Sequence, residues 1–410
     1  SYTTLFRSCS VSVERKAGFA QSILLLLGSC LPVLGAVLLA PVLPGIQAHF
    51  ADTPGANVLV PIALTLPALM IALLAPVAGL IADRLGRKPL LLGAMLLYSV
   101  FGLLPIWLES LPAIVISRAG IGIAEAAIMT CCTALMGDYY SGARRERLFA
   151  LQMVATSLAA TIFIAVGGLL GEYGWRTPFA LYGVGILFLP LMAWLLWEPR
   201  ARIRSAARTV DKAFPWRVLA PLYGLAFLTG VSMFVVPVQV GYLLNLLHID
   251  GSQQIGLTMG ASQFGVLAGA LVFRLLSGVP AYRQLCLAFV TAGIGGGLMA
   301  IADSQALVVI AVLINGLGIG LMMPTLITWI MAQVDFQYRG RAAGGFAAAF
   351  FGGEFFSPLI VLAITSAVSG TLQIALGILA GLQLVVAVAC LRLRAKRAVF
   401  PGVVAAASES

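Results

Sequence analysis

Charge is what this 410-residue chain has least of. Lys, Arg, Asp and Glu together make up 10% of it, against 61% hydrophobic residues, and its mean hydropathy is +1.03. A soluble globular domain carries about 25% charged residues, so a water-facing surface of ordinary composition is excluded for most of the chain. Histidine is nearly absent: His49 and His248 are the only two. Both are expected in loops without a second ligand nearby, and no zinc site is legible. Of six cysteines, Cys30, Cys131, Cys132, Cys286 and Cys390 fall in or at the ends of apolar runs and Cys9 in the polar N-terminal arm, so no disulfide framework is implied. Cys131 and Cys132 point to different helix faces, which suits core packing better than a shared metal. With no nucleophile–base pair and no metal cluster apparent, an enzyme is not expected, nor is any cofactor. The N-terminus lacks a short apolar core followed by a cleavage site, so the first apolar run reads as a retained helix.

What the chain does have is long apolar runs. A helix crosses about 30 Å of hydrocarbon with about 20 residues, and twelve such runs occur. They cover roughly 20–44, 57–82, 89–108, 112–137, 147–171, 175–197, 217–246, 254–276, 285–302, 306–332, 342–367 and 371–393. None alternates with the two-residue period of a membrane barrel. Backbone polar groups in lipid must be satisfied within the segment, which leaves helices. The fold class is an all-α membrane protein with twelve transmembrane helices.

The basic residues are sided. Twenty-three of twenty-five Lys and Arg fall in the N-terminal arm, the even-to-odd loops (2–3, 4–5, 6–7, 8–9, 10–11) and the tail, leaving Arg176 on the other side and Arg118 inside the fourth run. The positive-inside rule then places both termini in the cytoplasm and requires an even number of crossings. The formal charge of +10 reflects this sidedness and attraction to anionic lipid heads, with no nucleic-acid partner needed. The chain divides into an arm (1–19), six runs (20–197), a linker (198–216), six more runs (217–393) and a tail (394–410). Asp138 followed by Arg144–Arg145, and Asp335 followed by Arg339 and Arg341, recur at matching places in each half. Such an internal repeat is expected of two related halves that rock about a central site.

Between the second and third runs the chain reads G-L-I-A-D-R-L-G-R-K-P-L-L (79–91). This complete G-x-x-x-D-R-x-G-R-K-x-x-L pattern resembles the signature of the major facilitator superfamily, and the likeness extends over about residues 20–393. It implies two pseudo-symmetric six-helix bundles around a central cavity. It also implies a cytoplasmic latch made of Gly79, Asp83, Arg84, Gly86, Arg87 and Lys88, paired with acids such as Asp138, that holds the halves together when the cavity opens outward. Charge that only sets topology is the simpler alternative. L-G-A-V-L-L-A-P-V-L-P (34–44) is similar to the first-helix proline motif of twelve-helix drug/proton antiporters, and I-V-I-S-R-A-G-I-G (114–122) to a buried-arginine motif of proton-coupled members. The antiporter motif of the fifth helix would fall on Ala159, Phe163, Ile164, Gly167 and Gly168, and only the last pair matches. That departure leaves open an exporter of a metabolite or siderophore, or an importer.

Two acids stand out. Glu125 lies midway along the fourth run and Glu354 well inside the eleventh, where an ionised side chain costs roughly 2.5–3.5 kcal/mol. Each persists only if it faces a cavity, pairs, or holds a proton. Arg118 precedes Glu125 by seven residues, so both project from one helix face about 10.5 Å apart along the axis. Glu354, Glu125 and Arg118 are therefore the proton-coupling candidates, weighed against a packing-only Arg–Glu pair. Gln152, Gln239, Asn245, Gln263, Asn315, Phe234 and Phe350 are candidates to line the cavity; each polar one serves as readily as an interhelical hydrogen-bonder. These readings converge on a secondary transporter in the plasma (bacterial inner) membrane. It would export a small amphipathic drug, metabolite or siderophore in exchange for protons, and its partners would be substrate, protons and lipid. The alternative is an importer or facilitator of a small organic anion gripped by Arg118. A monomer suffices for either.

Overall fold

In a computed structural model, residues 17–199, 214–276, 278–335, 338–368 and 370–392 are described. The arm through residue 16, most of the linker (200–213) and the tail beyond 392 lie outside them, with eleven of the twenty-three basic residues that set the expected sidedness. Twelve apolar spans are present: α1 Phe19–His49, α2 Ala56–Leu85, α3 Arg87–Ile106, α4 Leu111–Tyr139, α5 Gly142–Gly171, α6 Thr177–Leu195, α7 Trp216–Leu246, α8 Ser252–Leu275, α9 Ala281–Ala300, α10 Gln305–Ala332, α11 Arg339–Ala367 and α12 Leu372–Arg392. Their ends fall within a few residues of the sequence reading. The first span continues past residue 44, so that His49 closes it and does not sit in a loop.

Proline explains that extension. The first span is α-helical through Val37, passes through a 3-10 turn at Ala40–Val42 and resumes as a helix over Leu43–His49. Pro41 and Pro44 supply no N–H to the preceding turn, so the helix breaks there without ending. The basic loop at the start of α3 turns at Gly86, whose φ of 94° is left-handed backbone that glycine adopts without steric penalty.

The apolar cores reveal how the two halves meet. One continuous core joins α1–α6 to the ends of α7–α12 remote from the basic loops, running through Phe234–Leu244, Ile255, Met259, Met299–Val312, Val361 and Ala375–Leu379. A second core, with Leu219, Leu285, Leu326, Ile330 and Ala342, is confined to the basic-loop end of α7–α12. At the remote end α5 and α8 touch through their backbones: a β-carbon at Gly256 would stand 3.0 Å from the Ile164 carbonyl oxygen and 3.1 Å from the Gly168 Cα. At the basic end, none of Gly79, Gly340 and Gly344 has an atom of the other half within 4 Å of its β-carbon position. The shut end of the molecule is the one away from the basic loops.

Candidate functional site: buried charges between the halves

Arg118 is completely enclosed, and all three of its donor nitrogens are satisfied by protein. Nε donates to the Ala63 carbonyl at 3.0 Å, Nη1 to the Tyr182 hydroxyl at 2.7 Å and Nη2 to the Gly35 carbonyl at 2.7 Å. The sequence prepares two of those acceptors. Residue 67 is proline, so the Ala63 carbonyl has no N–H four residues ahead. Gly35 lies in the last turn of the first segment of α1, where carbonyls lose their helical partners. Arg118 thus fastens α4 to α1, α2 and α6. Tyr182 is held in turn: its backbone carbonyl accepts from Ser99 at 3.1 Å, and its ring lies 5.2 Å from that of Tyr98.

Glu125 is equally enclosed, and neither carboxyl oxygen has a hydrogen-bond partner. It packs directly on the Cα of Gly35, so that any side chain at residue 35 would occupy the space of its carboxyl group. Gly35 therefore serves both groups, presenting its carbonyl to Arg118 and its bare α-carbon to Glu125. Glu354 is 4% exposed on α11. Its helix packs against α7, where a β-carbon at Gly230 would reach the Glu354 backbone nitrogen at 3.0 Å and the Ser357 hydroxyl donates to the Val231 carbonyl at 2.8 Å. Two enclosed acids, one from each half, are thus present, and the guanidinium of Arg118 is committed to backbone and tyrosine oxygens.

The basic loop forms a separate cluster. Arg87 pairs with Asp138 and reaches Asp83 at 3.8 Å. Glu198, just beyond α6, accepts from the backbone N–H groups of Arg87 at 2.9 Å and Lys88 at 2.8 Å, capping the N-terminus of α3 with a charge of favourable sign. Trp197 stacks on Tyr139 with ring centroids 4.6 Å apart, holding Glu198 in place. Asp83 and Arg84 are exposed, Gly79 half-buried, and the nearest atom to a β-carbon at Gly79 is Thr130 Cγ2 at 4.0 Å. All these contacts lie within the first half.

The remaining candidates are dispersed. Gln152 donates to the Ser29 hydroxyl at 3.0 Å and the Thr133 hydroxyl at 3.4 Å, joining α5, α1 and α4. Asn315 is buried and donates to the Ala292 carbonyl at 3.0 Å, between α10 and α9. Asn245, with its amide turned to donate to the Gly241 and Ile249 carbonyls at 3.2 Å, lies at the end of α7 beside Tyr242, Thr371 and Gln373. Gln239, Phe234 and Phe350 are buried and Gln263 half-buried; Phe350 stacks on Phe346 at 5.9 Å. Sequence reasoning missed Gly35, Tyr182 and Glu198. Only the proline at position 67 signalled that a buried donor would be wanted nearby.

This arrangement defines a multi-pass membrane protein with two helical halves and titratable groups near the middle of their spans. The sequence model of the Major Facilitator Superfamily matches residues 25–279, and the chain belongs to that family: it is a transporter and not an enzyme. It is similar to the tetracycline resistance protein, class C, of Escherichia coli, with 28% identity over 380 residues, covering 86% of this chain and 91% of the relative. The chloramphenicol resistance protein of Pseudomonas aeruginosa is 30% identical over 171 residues, 38% of this chain and 39% of that protein. Among solved structures, the D-xylose-proton symporter has the same fold, with a TM-score of 0.78 at 15% identity over 91% of this chain and 97% of that one.

Proposed function

We propose that this transporter exports a small amphipathic organic molecule in exchange for protons, by rocking its two halves about the buried charges, with both termini on the cytoplasmic side. The observation that carries the reading is the pair of enclosed acids, Glu125 and Glu354, one in each half; among the described residues neither carboxyl oxygen of Glu125 has a hydrogen-bond partner. A buried carboxylate without donors is costly. A proton removes that cost, and opening the site to water restores it. Loading and release of protons are thereby tied to which end is open.

Arg118 acts as the fixed positive charge. Its three acceptors hold it in place, so it biases Glu125 without needing to move. The resemblance to tetracycline and chloramphenicol resistance proteins supports export and a substrate that is amphipathic. The enclosure of Arg118 favours this reading over an organic-anion importer, which would need that guanidinium free to grip its substrate.

The test is proton movement in energised inside-out vesicles. Addition of tetracycline, chloramphenicol or amphipathic cations should partly collapse the pH gradient in the wild type. The Glu354→Gln variant, at equal amount and equal melting temperature, should give no response. An unchanged response in that variant would remove Glu354 from the coupling role.

A further inference from the structure

The shut end carries a charge contact that no feature of the basic signature accounts for. Glu172 ends α5, in the first half; Gly251 and Ser252 start α8, in the second. Gly251 is the N-cap of α8, and as glycine it has no side chain to satisfy the exposed N–H groups of the first turn. Glu172 supplies the missing acceptor from the other half: its Oε1 accepts from the Gln253 backbone N–H at 2.8 Å. The bond sits over the tight α5–α8 seam, where a β-carbon at Gly168 would stand 2.7 Å from the Ser252 carbonyl oxygen and one at Gly171 2.8 Å from the Ser252 Cβ.

We infer that Glu172 is the latch of the remote end, a carboxylate of one half capping a helix of the other, which holds the molecule shut there and is released when that end opens. A carboxylate at a helix N-terminus gains both a charged hydrogen bond and the favourable end of the helix dipole. Both are lost when the halves part, because α8 has no cap of its own. The continuous apolar core also lies at this end. The cap sets the balance between states and aligns α5 with α8 at the moment of closure. This inference rests on the rocking motion proposed above, so its test reads the motion and not the transport.

Spin labels at Glu109→Cys and Asp303→Cys, exposed sites on remote-end loops of the two halves, report the separation in the full-length protein in lipid nanodiscs, with native cysteines replaced. Removal of the cap by Glu172→Ala should raise the ratio of the longer to the shorter distance about two- to fivefold. Glu172→Gln, which keeps an acceptor and loses the charge, should fall between. A double variant, Glu172→Ala with Gly251→Asp, separates a latch from simple helix support. The aspartate gives α8 a cap within its own half, and a β-carbon at Gly251 meets nothing closer than 3.5 Å. A latch predicts that the longer distance stays enriched in the double variant. Full return to the wild-type ratio, or an unchanged ratio in Glu172→Ala, overturns the assignment. If wild-type protein shows both distances and Glu172 variants leave them alone, only the latch fails; a single distance under every condition removes the rocking motion as well.

Discussion

At the scale of single residues, the site is organised by Gly35. Its carbonyl receives Arg118 and its α-carbon supports Glu125, so one position governs where the fixed charge and the titratable one lie. Substitution Gly35→Val should displace the carboxyl group and abolish substrate-triggered proton movement, while the Gly35 carbonyl and its bond to Arg118 persist. Arg118→Lys should act differently. An ammonium is a point charge and cannot address acceptors on three helices in a planar fork. Leaving buried acceptors unpaired should lower stability by roughly 2–4 kcal/mol, seen as earlier thermal unfolding in detergent. Arg118, Glu125 and Glu354 were legible as candidates because an intramembrane charge is conspicuous in any apolar run. Their partners were not, since the Gly35 and Ala63 carbonyls and the Tyr182 hydroxyl depend on helix rotation and packing that residue spacing does not encode.

At the scale of elements, the twelve spans follow from hydrophobic length alone, and the break in α1 follows from Pro41 and Pro44. The seams between spans depend on small residues that admit backbone contact. Gly168 and Gly256 form the α5–α8 seam across the halves, and Gly168 belongs to the one glycine pair that the departed fifth-helix motif retains. A Gly256→Leu substitution should push α5 from α8. The predicted result is weaker cysteine cross-linking between Glu172→Cys and Gln253→Cys, with helical content unchanged by circular dichroism. The role of Glu198 was hidden for a different reason: a lone acid at the edge of a linker has no periodicity, and its meaning appears only when α3 starts beneath it.

At the scale of the whole molecule, the apolar core is continuous at one end and divided at the other, so the two halves are joined asymmetrically. The basic-loop cluster of Asp83, Arg87, Lys88, Asp138 and Glu198 lies within the first half, whereas Glu172 bonds across the halves at the remote end. The most direct test of proton-coupled exchange is to reverse the cycle. Protein reconstituted into liposomes is given a substrate gradient and no pH gradient, and lumenal pH is followed by a trapped dye. Exchange predicts that protons move against the direction of substrate flow and that Glu354→Gln abolishes the signal. Protons moving with the substrate, or substrate flux without proton movement, would contradict the account.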